Sequence, residues 1–480
     1  MNTSPSVIVV GGGPVGVAAA IACANRGFSV TVVEKATEIY DLPRAIVMDD
    51  EVQRALTLIG AGGGLSDVTS ALPGAEFVDV AGIRIIGFEL PEGTMTGLGF
   101  PPVVRYYQPE LEAFLRAHAV GAGVHFLLGK EVASVTQSDS GVEAALASGT
   151  VLSADWLIAA DGAPSPIRKA LGIRFDSLGF DQDWMVVDVR LHDGCDRELP
   201  LFVQQICDPA RPSTFVPGHG RFRRWEFQLQ EGETRAEMVE PTRVWQLLSP
   251  WLTPDDAGIV RAVVYRFHGT VASAMRAGRV FIAGDAAHQM PPFLGQGLGS
   301  GVRDALNLAW KLQMASGGRG GERLLDTYDE ERRPHVAGVV AHAVDTGRLI
   351  DQLAGRGGEQ DRLESAYGGQ RAFPHLEHGM RAGDHLLTGR QAPDIVLADG
   401  RQLDATVGDG FAVILSGART APANSATLDE WRALGATVVE GPVPFAEGVV
   451  VVRPDRSIAS VSTTAEEFAE HTAQLMEFLA

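Results

Sequence analysis

The chain has 480 residues, 45% hydrophobic and 21% charged, enough to bury large cores and to make two or three domains. Its formal charge of −20 argues against nucleic acid and anionic membrane surfaces as partners, because both recruit basic patches, although a local basic pocket for an acidic substrate is compatible with it. Cys23, Cys195 and Cys207 lie far apart, without CxxC or metal-ligand spacing, so a cytoplasmic setting and no metal site are expected. No leader pattern precedes the first strand, and the longest apolar stretch, Val15 to Ala24, is far too short for a membrane span.

The apolar run Val7 to Val10 predicts a strand, followed by Gly11-Gly12-Gly13-Pro14-Val15-Gly16 and an alanine-rich helix from Val17 to Asn25 that Gly27 closes. Gly11 permits a tight turn, Gly13 lets backbone approach a pyrophosphate, and Gly16 lets helix pack on strand. Alone this glycine pattern is weak. A second strand, Ser29 to Val33, ends at Glu34, about twenty residues past the loop, where a carboxylate can accept from a ribose diol, and that spacing reads as dinucleotide binding. Pro14 falls where a first-turn proline costs a helix little.

Further along come Pro43-Arg44-Ala45, and Tyr107-Gln108-Pro109-Glu110-Leu111 opening a helix; from the residues alone, Arg44 is a surface arginine and Gln108 a helix-cap residue. The apolar Trp156-Leu157-Ile158 leads into Asp161-Gly162-Ala163-Pro164-Ser165-Pro166, which on its own reads as a turn and a capped helix. Strand-like runs follow at Trp184 to Leu191, Leu201 to Cys207 and Arg224 to Leu229. In the last, alternation puts Trp225, Phe227 and Leu229 on one packing face and leaves Arg224, Glu226 and Gln228 to ligand or water. The strand Arg279 to Ile282 ends in Gly284-Asp285, and a loop through Pro291-Pro292 and Gly295-Gln296-Gly297 delivers the chain to a helix carrying Arg303-Asp304, whose amides can meet an anion. A helical segment follows Arg333-Pro334 to about Leu353, a break is expected at Gly355 to Asp361, and the tail from about 390 reads βαββα.

These blocks, in this order, resemble the FAD-dependent aromatic hydroxylases, the single-component flavin monooxygenases of the para-hydroxybenzoate hydroxylase type. Over its whole length the chain is most similar to their 3-(3-hydroxyphenyl)propionate hydroxylase branch, through Pro43-Arg44-Ala45-Ile46 with Asp49-Asp50-Glu51, Cys207 to Pro212, Arg223 to Phe227, and Arg303 to Lys311. The resemblance implies an α/β fold. A discontinuous Rossmann-like FAD-binding domain would take residues 1–70, 100–180 and 270–350, and an inserted mixed β-sheet substrate domain 71–99 and 181–269. Residues 385–480 would form a thioredoxin-like C-terminal domain without a redox dithiol, structural or used in assembly; the connection to it is short beside longer family members, which leaves homodimer contacts open.

For the site, the resemblance implies that Gly11, Gly12, Gly13, Pro14, Gly16, Glu34, Lys35 and Arg44 hold the cofactor, that Gln108 meets the ribityl chain and that Val132 lies beside the adenine. Asp161 and Gly162 would stand between the pyrophosphate and the nicotinamide route, Gly284 and Asp285 at the ribityl or pyrophosphate region. Gly297, Leu298 and Gly299 would turn backbone amides to the flavin pyrimidine edge, although the family often has Asn at the position of Gly299, and Pro291 would face flavin and substrate. With one glycine fingerprint there is no second nicotinamide domain, so NADH or NADPH would dock transiently. The implied reaction is hydroxylation of a phenol by O2 through a C4a-hydroperoxyflavin. A substrate with a carboxylate tail needs a cation, for which Arg190, Arg211 and Arg223 are candidates, and a group favouring phenolate, for which Asp49, His192, Tyr265 and His268 are candidates. Two other readings stand beside it: an aromatic polyketide tailoring hydroxylase with a wider pocket, and a non-catalytic flavin-binding protein. The Trp-x-Trp-x-Ile-Pro of flavin halogenases is absent.

Overall fold

The computed structural model describes residues 4–355, 374–417, 425–444 and 446–480. Its first sheet has six strands in the order Arg276–Ala277, Val280–Ile282, Trp156–Ala159, Ser6–Val10, Ser29–Glu34 and His125–Leu128. Val7 to Val10 pair in parallel with Val30 to Val33 on one side and with Trp156 to Ala159 on the other, and only the outermost Arg276–Ala277 runs antiparallel. Parallel strands covered on both faces need continuous apolar runs, and these supply them. The first helix, Pro14–Ala24, buries every residue from Gly16 to Cys23, and its small side chains let the helix Gly297–Ser316 approach closely, with Val15 packed against Gly284 and Gly301. An antiparallel meander, Val132–Ser138, Gly141–Leu146 and Val151–Ala154, stands beside this layer.

The second sheet has eight strands: His288–Gln289, Ala257–Ala272, Phe175–Leu191, Phe222–Gln228, Ser213–Pro217, Val203–Ile206, Gly74–Val78 and Arg84–Glu89. The strand expected from Trp184 starts already at Phe175; the Asp- and Gly-containing stretch before Trp184 hides its first half, which the long antiparallel partner Ala257–Ala272 holds in place. The alternation expected in Arg224–Leu229 is present. Trp225 and Phe227, with Leu229 against them, pack with Met185, Val187, Val189 and Phe215 onto Val244 and Leu248 of the helix Pro241–Leu248. Asp188, Arg224, Glu226 and Arg261 occupy the opposite face, which is turned to the loop at Pro43 and Arg44.

The helix expected after Arg333-Pro334 begins earlier, at Gly321, and runs to Leu353 with Pro334 inside it. The predicted break starts where this helix stops, and its residues 356–361 lie outside the described ones. The tail carries a four-stranded sheet ordered Thr437–Glu440, Ala412–Ser416, Gly448–Val452 and Ile458–Ser462, with helices Ser425–Ala433 and Ala465–Met476. After a short helix, Leu403–Val407, the order is βαβββα, one helix and one strand more than expected: Ile458–Ser462 is short, serine-rich and follows the tight turn at Arg456, which takes a positive φ of 65°. This unit docks through buried charges. Glu331 accepts from Lys311 and Arg453 at 2.7 Å each, Asp455 accepts from Asn307 at 2.9 Å, and Asp404 receives both Arg54 and Arg456. Among the described residues no helix is long and apolar enough to cross a membrane, and no His/Cys/Asp/Glu cluster is fit for a metal.

Candidate active site

Three neighbouring parallel strands end side by side at Val10, Ala159 and Ile282, and the chain leaves each through a glycine-containing loop at the same sheet edge. Such an edge, where the connections diverge, is where open α/β sheets bind ligands. Gly11 has φ +106°, donates to Val33 O at 2.9 Å, and a Cβ there would stand 2.2 Å from Ala160 O. A Cβ on Gly16 would stand 2.0 Å from Gly11 O. Gly13 and Gly297 differ in kind: a Cβ on either would meet no atom within 4 Å, so both border open space that backbone alone approaches. The helix Pro14–Ala24 has no side-chain cap, leaving its first amides free for an anion, and the cradle therefore fits a dinucleotide diphosphate.

Glu34 accepts from Gly12 N at 2.6 Å and Ala36 N at 2.7 Å, which fixes its carboxylate beside the glycine loop, while Lys35 is exposed. Val132 is buried just beyond Lys130, whose amide donates to Glu34 O at 2.9 Å, so it lies on the same side of the cradle. Arg116 ties the loop from below, donating to Gly12 O at 2.9 Å. Gln108 is buried and engaged with protein: its carbonyl accepts from Arg44 N and Ala45 N at 3.0 and 2.7 Å, and its amide donates to Glu112 at 2.7 Å. Its visible work is to pin the 43–45 loop, leaving the exposed Arg44 side chain over the Tyr40 ring at 4.9 Å.

Asp161 turns its carboxylate to Ser165 Oγ at 2.6 Å and Ile167 N at 3.3 Å, which caps the helix Pro166–Ala170; burial pushes its carboxyl up while these bonds oppose the rise. Gly162 next to it has φ +82°. Arg168 couples this loop to the next, donating to Ala163 O at 3.3 Å and Ala286 O at 3.0 Å. Gly284 has φ +62°, and Asp285 makes no side-chain hydrogen bond among the described residues. Its carboxylate is open to solvent at the cleft mouth, yet the crowding protein pushes its carboxyl up, against His288 and Arg44. Asp304, fully buried on the helix Gly297–Ser316, holds the whole turn: it accepts from Gly284 N at 3.1 Å and Arg332 at 2.8 Å and bonds His288 Nε2 at 2.8 Å. Burial would raise its carboxyl, but His288 and Arg332 prevail and keep it at about 2.

Above the loops stands the polar face of the second sheet. Asp188 lies opposite both Arg224 and Arg261, and receives Arg224 at 2.7 Å and Arg261 at 2.7 Å. Arg224 spends its remaining donors on Arg44 O at 2.5 Å and Pro43 O at 3.0 Å, joining the sheet to the cofactor layer. Glu226 is 3% exposed and makes no hydrogen bond among the described residues; Arg224 stands 3.9 Å away. Burial pushes its carboxyl up to about 7, Arg224 opposing and Asp188 adding to the rise. Towards the other end the same face turns aromatic, with Trp184 and Phe267 around Phe293, which follows the buried Pro291.

Of the residues expected for substrate, the structure brings Tyr265 and Arg190 to this face. The Tyr265 hydroxyl accepts from Arg261 at 3.2 Å, and the exposed Arg190 lies at the rim opposite Phe222, which stacks on Tyr107 at 3.8 Å. Five others are engaged elsewhere. Asp49 caps the helix Asp50–Leu56 through Val52 N at 2.9 Å and pairs with Arg303 at 2.6 Å and Gln296 at 2.9 Å; Arg303 holds its carboxyl below the usual range against burial, so it anchors the loop before Gly297, Leu298 and Gly299 and is no base. His192 is exposed at the far end of its strand, bonded to Asp255 O at 3.1 Å. Arg211 is locked to Glu233 at 2.6 Å, and Arg223, one residue from Arg224, points to the other side of the sheet and donates to Gly220 O at 2.9 Å. His268 pairs with Asp181 at 3.2 Å on an exposed edge. Asp188 and Arg261 carry no signal in the sequence; Asp304 enters there only within the Arg303-Asp304 block, and Glu226 and Arg224 through the alternation around Trp225 and the Arg223 to Phe227 block.

One glycine fingerprint, three converging loops and a second sheet over them define a flavoprotein of the single-dinucleotide α/β class. The FAD binding domain model matches residues 4–343, and the chain belongs to that family. It is 38% identical over 349 residues to a probable NADH-specific resorcinol 4-hydroxylase of Rhodococcus jostii, covering 72% of this chain and 65% of the relative. It is 36% identical over 354 residues to a 3-(3-hydroxy-phenyl)propionate/3-hydroxycinnamic acid hydroxylase of Klebsiella pneumoniae, covering 72% and 62%. The chain thus spans less than two thirds of the length of these relatives. Among solved structures, aklavinone-11 hydroxylase in a ternary complex with FAD and aklavinone shares the fold with a TM-score of 0.81, at 24% identity and with 100% of both chains covered.

Proposed function

We propose that this chain is an FAD-dependent monooxygenase that hydroxylates a small phenol, using NADH and O2. The observation that carries the reading is the buried polar face of Asp188, Arg224, Glu226 and Arg261, set over a dinucleotide cradle and bounded at one end by Trp184, Phe267 and Phe293. A ring needs apolar partners and its hydroxyl needs polar ones; this face carries side chains of both kinds within one sheet. The relatives named for resorcinol and hydroxyphenylpropionate support a phenol, and the NADH-specific relative supports NADH over NADPH.

FAD, when bound, supplies the two-electron chemistry and the activation of O2. The chain's own part is positional and electrostatic. Gly11, Gly13 and Gly16 admit the diphosphate to the first helix, Gly12 and Glu34 fix the adenosine side, and the free amides at the start of Gly297–Ser316 favour negative charge at the flavin edge. Asp285 serves the ribityl region and Pro291 the flavin face. Arg224 clamps the 43–44 loop and so ties the second sheet to the cofactor side. A cytoplasmic setting fits three free, separated cysteines, and assembly as a homodimer belongs to the same reading.

The test is NADH oxidation by the FAD-loaded chain against resorcinol, 3-(3-hydroxyphenyl)propionate and fused-ring phenols, with O2 uptake and product counted. Coupled hydroxylation of a one-ring phenol is expected. Preference for the fused rings would move the chain to polyketide tailoring, and FAD binding without hydroxylation of any phenol would leave a non-catalytic flavoprotein.

A further inference from the structure

Two carboxylates share the polar face, and the cations are divided unequally between them. Asp188 takes Arg224 through two nitrogens and Arg261 through two more, at 2.7 to 3.2 Å. Glu226, next along the face, has no hydrogen bond among the described residues and one cation at 3.9 Å, although it is almost fully buried. A buried carboxylate usually finds donors, because leaving one without them is costly. Here the neighbouring donors are already committed: Thr214, opposite Glu226 on the adjoining strand, donates to Gln205 at 2.6 Å, and Arg261 turns to Asp188 and to the Tyr265 hydroxyl at 3.2 Å. On the other side Glu226 lies opposite Val186, with Asp188 two residues on, and neither side chain offers an N–H; on its own strand Arg224 and Gln228 donate to Arg44 O and to Gln182.

We propose that Glu226 is the catalytic base of the hydroxylation, accepting the proton of the substrate phenol. The assignment rests on the phenol hydroxylase reading above. The phenol O–H bond breaks, the proton joins a Glu226 carboxylate oxygen, and the electron pair stays on the phenol oxygen, where it enriches the ring for attack by an electrophilic oxygen; the acid returns the proton to the product oxygen. Asp188 is the partner that holds the two arginines, so that Glu226 is the carboxylate left without a committed donor. Two neighbouring carboxylates held in such unlike surroundings, one between two arginines and one without a hydrogen bond, mark a division of roles. The groups facing Glu226 are Arg224 on its own strand, Asp188 on Phe175–Leu191 and Arg261 on Ala257–Ala272, with the Tyr265 hydroxyl bonded to Arg261 behind them. With its carboxyl at about 7, Glu226 is ionised and able to accept above that pH and protonated below it.

The experiment compares wild type with Glu226→Gln and Glu226→Asp, all FAD-loaded, on resorcinol and on 3-(3-hydroxyphenyl)propionate from pH 5.5 to 10. Wild type should lose kcat/KM below about pH 7. Glu226→Gln should fall roughly 100-fold or more at pH 7, the range of general-base loss, and recover towards the phenol's own ionisation near pH 10, with FAD affinity unchanged. Glu226→Asp should restore part of the rate and an acid limb. A second reading, free of turnover, is the ultraviolet difference spectrum of the phenol bound to the oxidised enzyme: a phenolate band should grow in with the wild-type limb and be lost in Glu226→Gln. A Glu226→Gln rate within 3-fold of wild type, or a lowered rate with an unshifted pH profile and the phenolate band retained, overturns the assignment. Wild type that hydroxylates no phenol at any pH defeats the functional reading itself, and the base with it.

Discussion

Asp304→Asn tests how the Gly284-Asp285 turn is held. Asp304 is fully buried and its carboxylate meets the Gly284 amide, His288 and Arg332 at 2.8 to 3.1 Å. Its carboxyl sits at about 2 against an ordinary 3.8, and at about 1.36 kcal/mol per pH unit this difference is worth about 2.5 kcal/mol. Removing one partner of a buried ionic group commonly costs about 3 to 5 kcal/mol, because the remaining charges lose their counterion; Asn keeps one acceptor oxygen, so about 3 kcal/mol is expected. A depressed carboxyl contributes its full stability above 3.8 and loses it as pH falls through about 2, so the deficit of the variant should be constant from pH 8 to pH 5. The Gly284 amide loses its anchor too, and a lost hydrogen bond of about 1.4 kcal/mol would weaken FAD about tenfold. Urea unfolding followed by tryptophan fluorescence and a flavin-fluorescence titration read both effects. A variant within 1 kcal/mol of wild type with unaltered FAD affinity would show that the turn does not depend on this carboxylate.

The glycine loop separates packing from ligand space. Gly16→Ala would place a Cβ 2.0 Å from Gly11 O and should destabilise by about 3 kcal/mol, the upper range of overpacking, with loss of FAD. Gly13→Ala meets nothing within 4 Å and should melt like wild type while binding FAD at least about tenfold more weakly; equal FAD binding by Gly13→Ala would remove Gly13 from the diphosphate site. Glu331→Gln strips the anion that receives Arg453, Lys311, Asn307 and the Met380 amide, and a loss of about 3 to 5 kcal/mol should free the C-terminal unit to proteolysis; an unchanged cleavage pattern would refute that docking role. Glu226 predicts the opposite sign: a carboxyl raised from 4.5 to about 7 destabilises the fold increasingly as pH rises between those values. Glu226→Gln should therefore be more stable than wild type at pH 8, by up to about 3 kcal/mol, and equal to it near pH 4; a pH-independent difference would contradict this.

The cofactor layer was legible because its glycines answer to backbone contacts within a few residues of known loops. Gly11 and Gly16 are required by carbonyls 2.2 and 2.0 Å from where a side chain would begin, and such requirements leave a fixed spacing in the sequence. Gln108 and Asp161 show the limit of that legibility: their positions match the cofactor pattern, yet the bonds they make serve the 43–45 loop and the Pro166–Ala170 helix. The fourth strand of the tail escaped because Ile458–Ser462 carries serines and draws its place from Gly448–Val452.

The chemistry of the second sheet was hidden for a different reason. Asp188 reads as an interruption in an apolar strand, and its partners lie 36 and 73 residues away, so only the cross-strand register discloses the cluster. Choosing arginines by their place in a family-like motif selected Arg211 and Arg223. Register then decides between adjacent residues: a side chain one position off is on the other face of the sheet, so Arg223 donates to Gly220 O and Phe222 O while Arg224 reaches Asp188 and the loop at Pro43 and Arg44. The alternation that buries Trp225 and Phe227 is thus also what fixes Glu226 on the face turned to the loop at Pro43 and Arg44, and a site built this way must respond to sheet register. Inserting one residue in Phe222–Gln228 would carry both the apolar face and the proposed base to the wrong side at once, whereas exchanging Arg223 for Ala should leave phenol turnover intact.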